Sequence, residues 1–254
     1  MSAVAVQPVL EVRGATKRFG GVVALDDVSI DVFAGEVLAV LGDNGAGKST
    51  LIQCISGVHR LDSGSLHIDG QPVQVHDPAQ ARALGIETVY QDLALFDNLG
   101  PAANFYAGRE MAGPGWLPAG MRVLRRRAMA SATRDVLDRL HVDLPGFDRP
   151  VGLLSGGQRQ AVAVARATAF ASRLVILDEP TAALGVREAR GVLELVRRLR
   201  AEAKAVVVIS HAMDHVMEIA DRAVVMRRGR KVGELVPSAS TRQEIVSLIV
   251  GGEG

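Results

Sequence analysis

Gly42, Asp43, Asn44, Gly45, Ala46, Gly47, Lys48, Ser49 and Thr50 combine a flexible backbone with a cation and two hydroxyls. Glycines let successive N–H groups curl around an anion, and the apolar residues 51–55 predict a helix whose positive end faces the same point. Lys48 can neutralise charge between phosphate groups, and the Ser49 hydroxyl can ligate magnesium. The run before Gly42, residues 37–41, is wholly apolar and reads as a buried parallel strand, so the strand–loop–helix context that this motif needs is met. A second apolar run, 174–177, ends in Asp178 and Glu179. At a strand's carboxyl end both acids reach the crevice, where Asp178 suits magnesium held through water and Glu179 suits general-base work on an attacking water. Between the two lies Leu154-Ser155-Gly156-Gly157-Gln158, which offers a hydroxyl and free backbone N–H groups at a helix start. That is a second anion site by the same physics.

The elements that must position these residues read as α/β. Residues 9–13 and 28–33 predict strands, with Gly14, Gly20, Gly21 and Gly35 as punctuation. Residues 66–68 and 73–75 predict a hairpin around Asp69-Gly70. From Asp92 the texture changes. Gly113, Pro114, Gly115 and Pro118 mark an irregular loop that also holds Trp116, and residues 127–141 then carry Met129, Ala132, Val136, Leu137 and Leu140 at helical spacing. Parallel-strand runs return at 174–177, 205–209 and 223–226, with Ala189, Val192, Leu193, Val196 and Leu199 on one face of an intervening helix. Thr241 and Glu244 predict a capping box for a last helix that stops at Gly251. The expected organisation is one domain, with a nucleotide-binding core at 8–91 and 161–254 and a helical subdomain at 92–160.

Bulk properties remove several alternatives. A chain of 254 residues, 48% hydrophobic, buries a sizeable core. Its net charge of +1 and 4% aromatic content give neither the field nor the stacking surface of a nucleic-acid binder. No apolar stretch approaches the roughly 18 residues of a membrane span; 161–169 is short and holds Arg166, and 205–209 is shorter still. Residues 1–10 lack a basic start and contain Gln7 and Pro8, a poor signal peptide. The expectation is a cytosolic chain that meets the membrane only through a partner. The single cysteine, Cys54, reads as a small core residue. His211 and His215 stand four apart, but zinc needs a third ligand and the H-E-x-x-H glutamate is missing, so His215 is expected on a helix surface.

Taken in order, the phosphate loop, Leu154-Ser155-Gly156-Gly157-Gln158 and Asp178-Glu179-Pro180-Thr181 make the chain similar to the ATP-binding subunits of ABC transporters over nearly its whole length. The resemblance implies a P-loop core with a parallel sheet, an antiparallel β subdomain and an inserted helical subdomain. It also implies ATP and Mg2+ as ligands and a head-to-tail dimer, in which each Leu-Ser-Gly-Gly-Gln covers the nucleotide on its partner's loop. By the same resemblance Phe19 stacks on adenine, Gln91 touches magnesium and relays to the membrane subunit, and His211 contacts the γ-phosphate. One departure stands out. The loop after Pro180-Thr181 usually ends in an aspartate, where this chain has Gly185.

Finer likenesses point to the carbohydrate-uptake branch, the ribose, xylose and fructose type. They are residues 19–25, 85–95, 104–110 and 180–186, and the ending around Glu244, Ile245 and Gly251. The implied machine hydrolyses ATP to energise a separate permease, with a solute-binding protein as an indirect partner. Rivals are a cassette for another solute or for export, and a soluble cassette acting in translation or repair, which usually carries two cassettes or long coiled-coil insertions. A GTPase is disfavoured, since no Asn-Lys-x-Asp guanine signature occurs. Arg125-Arg126-Arg127 reads as a solvated helix start, and Phe96 and Leu99 as candidate permease contacts.

Overall fold

The computed structural model describes residues 7–113 and 123–251. Trp116, with Pro114, Gly115 and Pro118, lies outside the described residues.

Strands β1 (Leu10–Phe19) and β2 (Val22–Val32) form a long antiparallel pair, each longer than the apolar runs 9–13 and 28–33 suggest. The ladder continues through the polar residues because Gly14, at φ +59°, absorbs a register shift between Val12 and Ala15. A bulge of this kind extends a strand past the glycine that sequence reading treats as its end. Next come β3 (Val37–Leu41), every residue buried, and α1 (Lys48–Ile55), which carries Cys54 in the core. Burial pushes the Cys54 thiol up to about 11, so it stays a protonated packing group.

Strands β4 (Ser63–Ile68) and β5 (Gln71–Val73) close a hairpin through Asp69 and Gly70, both at positive φ as a type I′ turn requires. The strand after the turn is thus 71–73 rather than 73–75. Helix α2 (Pro78–Ala83) leads to β6 (Ile86–Val89), and α3 (Pro101–Tyr106) opens the helical region. There the expected loop is bracketed by two short paired strands, β7 (Ala112–Gly113) and β8 (Val123–Leu124). The helix expected at 127–141 is α4 (Arg126–Arg139), with Met129 and Leu137 inward and Arg134, Asp135, Asp138 and Arg139 exposed. Helix α5 (Gly156–Phe170) returns the chain to the sheet.

The remainder alternates strand and helix: β9 (Leu174–Asp178), α6 (Val186–Ala201), β10 (Ala205–Ile209), α7 (Met213–Ile219), β11 (Arg222–Arg227), β12 (Arg230–Leu235) and α8 (Arg242–Val250). The capping box expected at Thr241 does not form. Its hydroxyl accepts from Ser238 N at 2.9 Å and so serves the preceding turn instead of the helix, while Gly251, at φ +85°, ends α8 as expected.

One sheet has the order β2-β1-β4-β5, all antiparallel; the other has β12-β11-β3-β10-β9-β6, parallel except for β12. Alternation on the parallel strands divides the core. Leu174 and Ile176 of β9 face the antiparallel sheet and α1, whereas Val175 and Leu177 face α5 and α6. Each such buried aliphatic side chain is worth about 1.5–3 kcal/mol. Burial on both faces is why these strands read as unbroken apolar runs.

Candidate active site

Strands β3, β10, β9 and β6 are mutually parallel, so the loops at their carboxyl ends leave one edge together. β3 delivers Gly42, β9 delivers Asp178 and Glu179, and β6 leads to Tyr90 and Gln91. Ile209 of β10 pairs beside Asp178, which brings Ser210 and His211 next to the two acids.

The Gly42–Thr50 loop is cradled from below. A Cβ on Gly42 (φ +146°) would lie 2.2 Å from Met226 O, and one on Gly47 (φ +99°) would lie 2.5 Å from Ala24 O. Both positions therefore demand glycine for backbone approach as well as for φ. The turn between β11 and β12 locks the floor, since Gly229 N donates to Ala46 O at 3.0 Å. Ala46 is buried, Thr50 half-buried, and Asp43, Asn44, Gly45 and Ser49 are exposed above it. Lys48 is buried and turns its ammonium back onto the loop, donating to Gly42 O at 2.6 Å and Asp43 O at 2.9 Å. An incoming phosphate oxygen meets a cation already held over the cradle.

Asp178 closes the other side. Burial pushes its carboxyl above the usual range, neighbouring Glu179 adds to the shift, and Lys48 opposes it. Asp178 thus stands between a neighbouring acid and a lysine, whose charges act on it in opposite senses. Glu179 holds φ +50°, rare for a non-glycine residue, and its N–H donates to Ile209 O at 3.0 Å, one step past the end of β9. This backbone turn carries its carboxylate to His211, Oε1 to Nδ1 at 2.9 Å, with the Glu179 side chain 14% exposed. Strain concentrated at a residue suited to proton abstraction is a common mark of function.

Other predicted residues sit elsewhere. Gln91 is exposed and lines a cleft of about 400 Å³ with Gly156, Arg159, Gln160 and Leu184 rather than with the phosphate loop. Phe19 stands at the turn between β1 and β2, 43% exposed, edge-on to His59 with centroids 5.0 Å apart. Ser155 caps α5, accepting from Gln158 N at 3.3 Å while Gln158 Oε1 accepts from Ser155 N at 2.9 Å. Ser155, Gly156, Gly157 and Gln158 line clefts beside α6 and the loop before it, none shared with the phosphate loop. Within one chain the two candidate anion sites line different clefts.

A family model described as ABC transporter matches residues 25–182. The chain belongs to the ABC transporter family. This ABC cassette is 47% identical to a fructose import ATP-binding protein of Rhizobium meliloti, over 97% of this chain and 95% of that one. It is 44% identical to a xylose/arabinose import ATP-binding protein of Sulfolobus acidocaldarius, over 94% and 93%. Against a ribose import ATP-binding protein of Rubrobacter xylanophilus it is 45% identical over 96% of its length but spans only 47% of that relative. The ADP conformation of an ATP-binding cassette of an ABC transporter matches it with a TM-score of 0.80 and 26% identity, over 97% of this chain and 99% of that one.

Three side chains of the cassette escaped sequence reading. His215 is not on the surface: half-buried, its Nδ1 lies 2.9 Å from Thr181 Oγ1 and ties α7 to the loop after Glu179. Arg166, noted in the sequence only as a charge in an apolar run, donates to the carbonyls of Ala94 at 3.0 Å and Leu93 at 3.1 Å. Glu188, in the first turn of α6, accepts from Gly185 N at 3.2 Å. A charge inside an apolar helix was the available signal for Arg166, and a glutamate three residues past the Gly185 cap of α6 was the signal for Glu188; the His215 contact joins segments with no local signature.

Proposed function

We propose that this chain is the ATP-hydrolysing subunit that energises a separate membrane permease for sugar import. The observation that carries the reading is the meeting of the phosphate loop, Asp178 and the Glu179–His211 pair at one sheet edge. The sugar assignment is supported by the fructose and xylose/arabinose import relatives, which this chain matches along more than nine-tenths of their length.

The backbone N–H groups of residues 42–50 and the Lys48 ammonium bind the triphosphate, while Phe19 offers a face to the adenine. Ser49 and Asp178, with Gln91 once its loop approaches, are the residues that would hold Mg2+. The clustered acids beside Lys48 fit such a cation, which when bound supplies charge neutralisation at the β and γ phosphates. Glu179 accepts the proton of the attacking water, and His211 keeps that carboxylate aimed and reaches the γ-phosphate. Because Ser155, Gly156, Gly157 and Gln158 lie apart from the loop of their own chain, they serve the nucleotide of a second copy, head to tail. The core is 8–91 with 161–254, and 92–160 is the helical subdomain that meets the permease at the inner face of the membrane. A solute-binding protein is the indirect partner, and nucleic acid has no role.

Glu179→Gln tests this. ATP affinity should persist while turnover falls by about 10² to 10⁴, and the two-ATP dimer should accumulate in light scattering. A variant that hydrolyses normally, or stays monomeric at saturating ATP and magnesium, overturns the reading.

A further inference from the structure

The first turn of α5 already faces a carboxylate. Glu188 reaches across from α6: a Cβ built on Gly157 would lie 2.6 Å from Glu188 Cβ and 3.1 Å from its carboxyl carbon. One carboxylate oxygen accepts from the Gly185 N–H at 3.2 Å. The Gly185 amide, the Ser155 hydroxyl and, more weakly, the Gly157 amide hold the Glu188 carboxyl below its usual range. Among the described residues the Gly185 N–H is the one hydrogen bond to this carboxylate, which otherwise packs against the Gly157 backbone. Ser155 and Gly157 are also the donors that the reading above, on which this inference rests, gives to the γ-phosphate of the second copy. Two anions do not share one such donor set without repulsion.

We propose that Glu188 is a positioning residue that occupies the Ser155–Gly157 anion site in the nucleotide-free chain and must leave before the partner's γ-phosphate enters. Its departure also releases the Gly185 amide, and with it the loop running back to Thr181 and Glu179. A carboxylate one helical turn on thus stands in for the acid missing at Gly185. Site closure and loop movement become a single event.

Glu188→Gln is the informative variant, because it keeps an acceptor for the Gly185 N–H and removes only the charge; Glu188→Ala removes both. In a Glu179→Gln background, ATP titration followed by light scattering should show the dimerisation midpoint falling about tenfold with Gln, and no less with Ala. An unchanged or higher midpoint overturns the proposal. A second readout needs no dimer. In the nucleotide-free chain with wild-type Glu188, carbon-13 NMR of the glutamate carboxyls should show Glu188 titrating low and moving back up in Ser155→Ala. Ordinary titration there also overturns it. If the Glu179→Gln parent itself stays monomeric at saturating ATP, the shared site fails first and takes this proposal with it, a result visible before Glu188 is altered.

Discussion

Asp178 folds into surroundings that disfavour its charge, through burial first and Glu179 second. A carboxyl whose value is raised on folding binds its proton more tightly in the folded chain. Stability is then greatest at low pH and declines as pH climbs from about 3.9, the unfolded value, through the raised folded value. Above the raised folded value the whole penalty is present. Asp178→Asn should therefore raise the thermal unfolding midpoint of the nucleotide-free chain at pH 7 while magnesium-dependent turnover is lost. A lower midpoint would show that the charge is stabilising where it stands. The identity of Asp178 as a candidate ligand was legible from its place after an apolar run. Its reach to Lys48 was not, because that depends on β3 and β9 flanking β10.

At the scale of elements, Arg166 ties α5 to the segment that follows Gln91. Its guanidinium bonds the carbonyls of Leu93 and Ala94 while Glu87, paired with Arg109 at 2.7 Å, supplies counter-charge nearby. Burial lowers the Arg166 value, but a guanidinium remains charged in proteins. Arg166→Met keeps the apolar stem and leaves two carbonyls without their donor, a loss of about 1.5–3 kcal/mol for a charged donor. The expected outcome is a lower chemical-denaturation midpoint together with faster amide exchange at residues 93–96. Unaltered exchange there would mean that the loop holds itself. Helices α4 and α6 were readable from periodicity, and α5 only from its Ser-Gly-Gly start; the tie between α5 and the Gln91 loop was not, since its partners are main-chain carbonyls that any residue would supply.

At the scale of the whole molecule, the surface around Phe96 and Leu99 is where the proposed permease contact can be tested. Asn104, fully buried, holds this segment by its backbone: Phe96 N donates to its Oδ1 at 2.7 Å, and its Nδ2 donates to Phe96 O and Leu99 O at 3.1 Å. The side chains are turned outward, Phe96 54% and Leu99 37% exposed, beside a groove of about 640 Å³ that also includes Ala103, Met129 and Phe147. Leu93 and Leu95, by contrast, pack against the core. Replacing Phe96 and Leu99 together by serine should change stability by no more than about 0.5 kcal/mol each and leave basal ATPase intact, while solute-stimulated ATPase and recovery with membranes fall. Joint collapse of stability and basal activity would make them core residues instead. Among the described residues no helix is long and apolar enough to cross a membrane.

What the residues by themselves determined is local in origin. A glycine-rich turn between a buried strand and a helix, two acids at a strand end, and a Ser-Gly-Gly helix start each announce their chemistry through backbone freedom, charge and periodicity within about ten positions. The α/β alternation and the family likeness follow from the same short-range patterns. Tertiary structure alone decided which of these groups meet. The parallel order of β3, β10, β9 and β6 places Glu179 against His211, while Glu188 comes to rest on the first turn of α5 through the packing of two helices against each other. Such encounters are set by sheet order and helix packing, which sum over many weak contacts and leave no motif in any one stretch of chain.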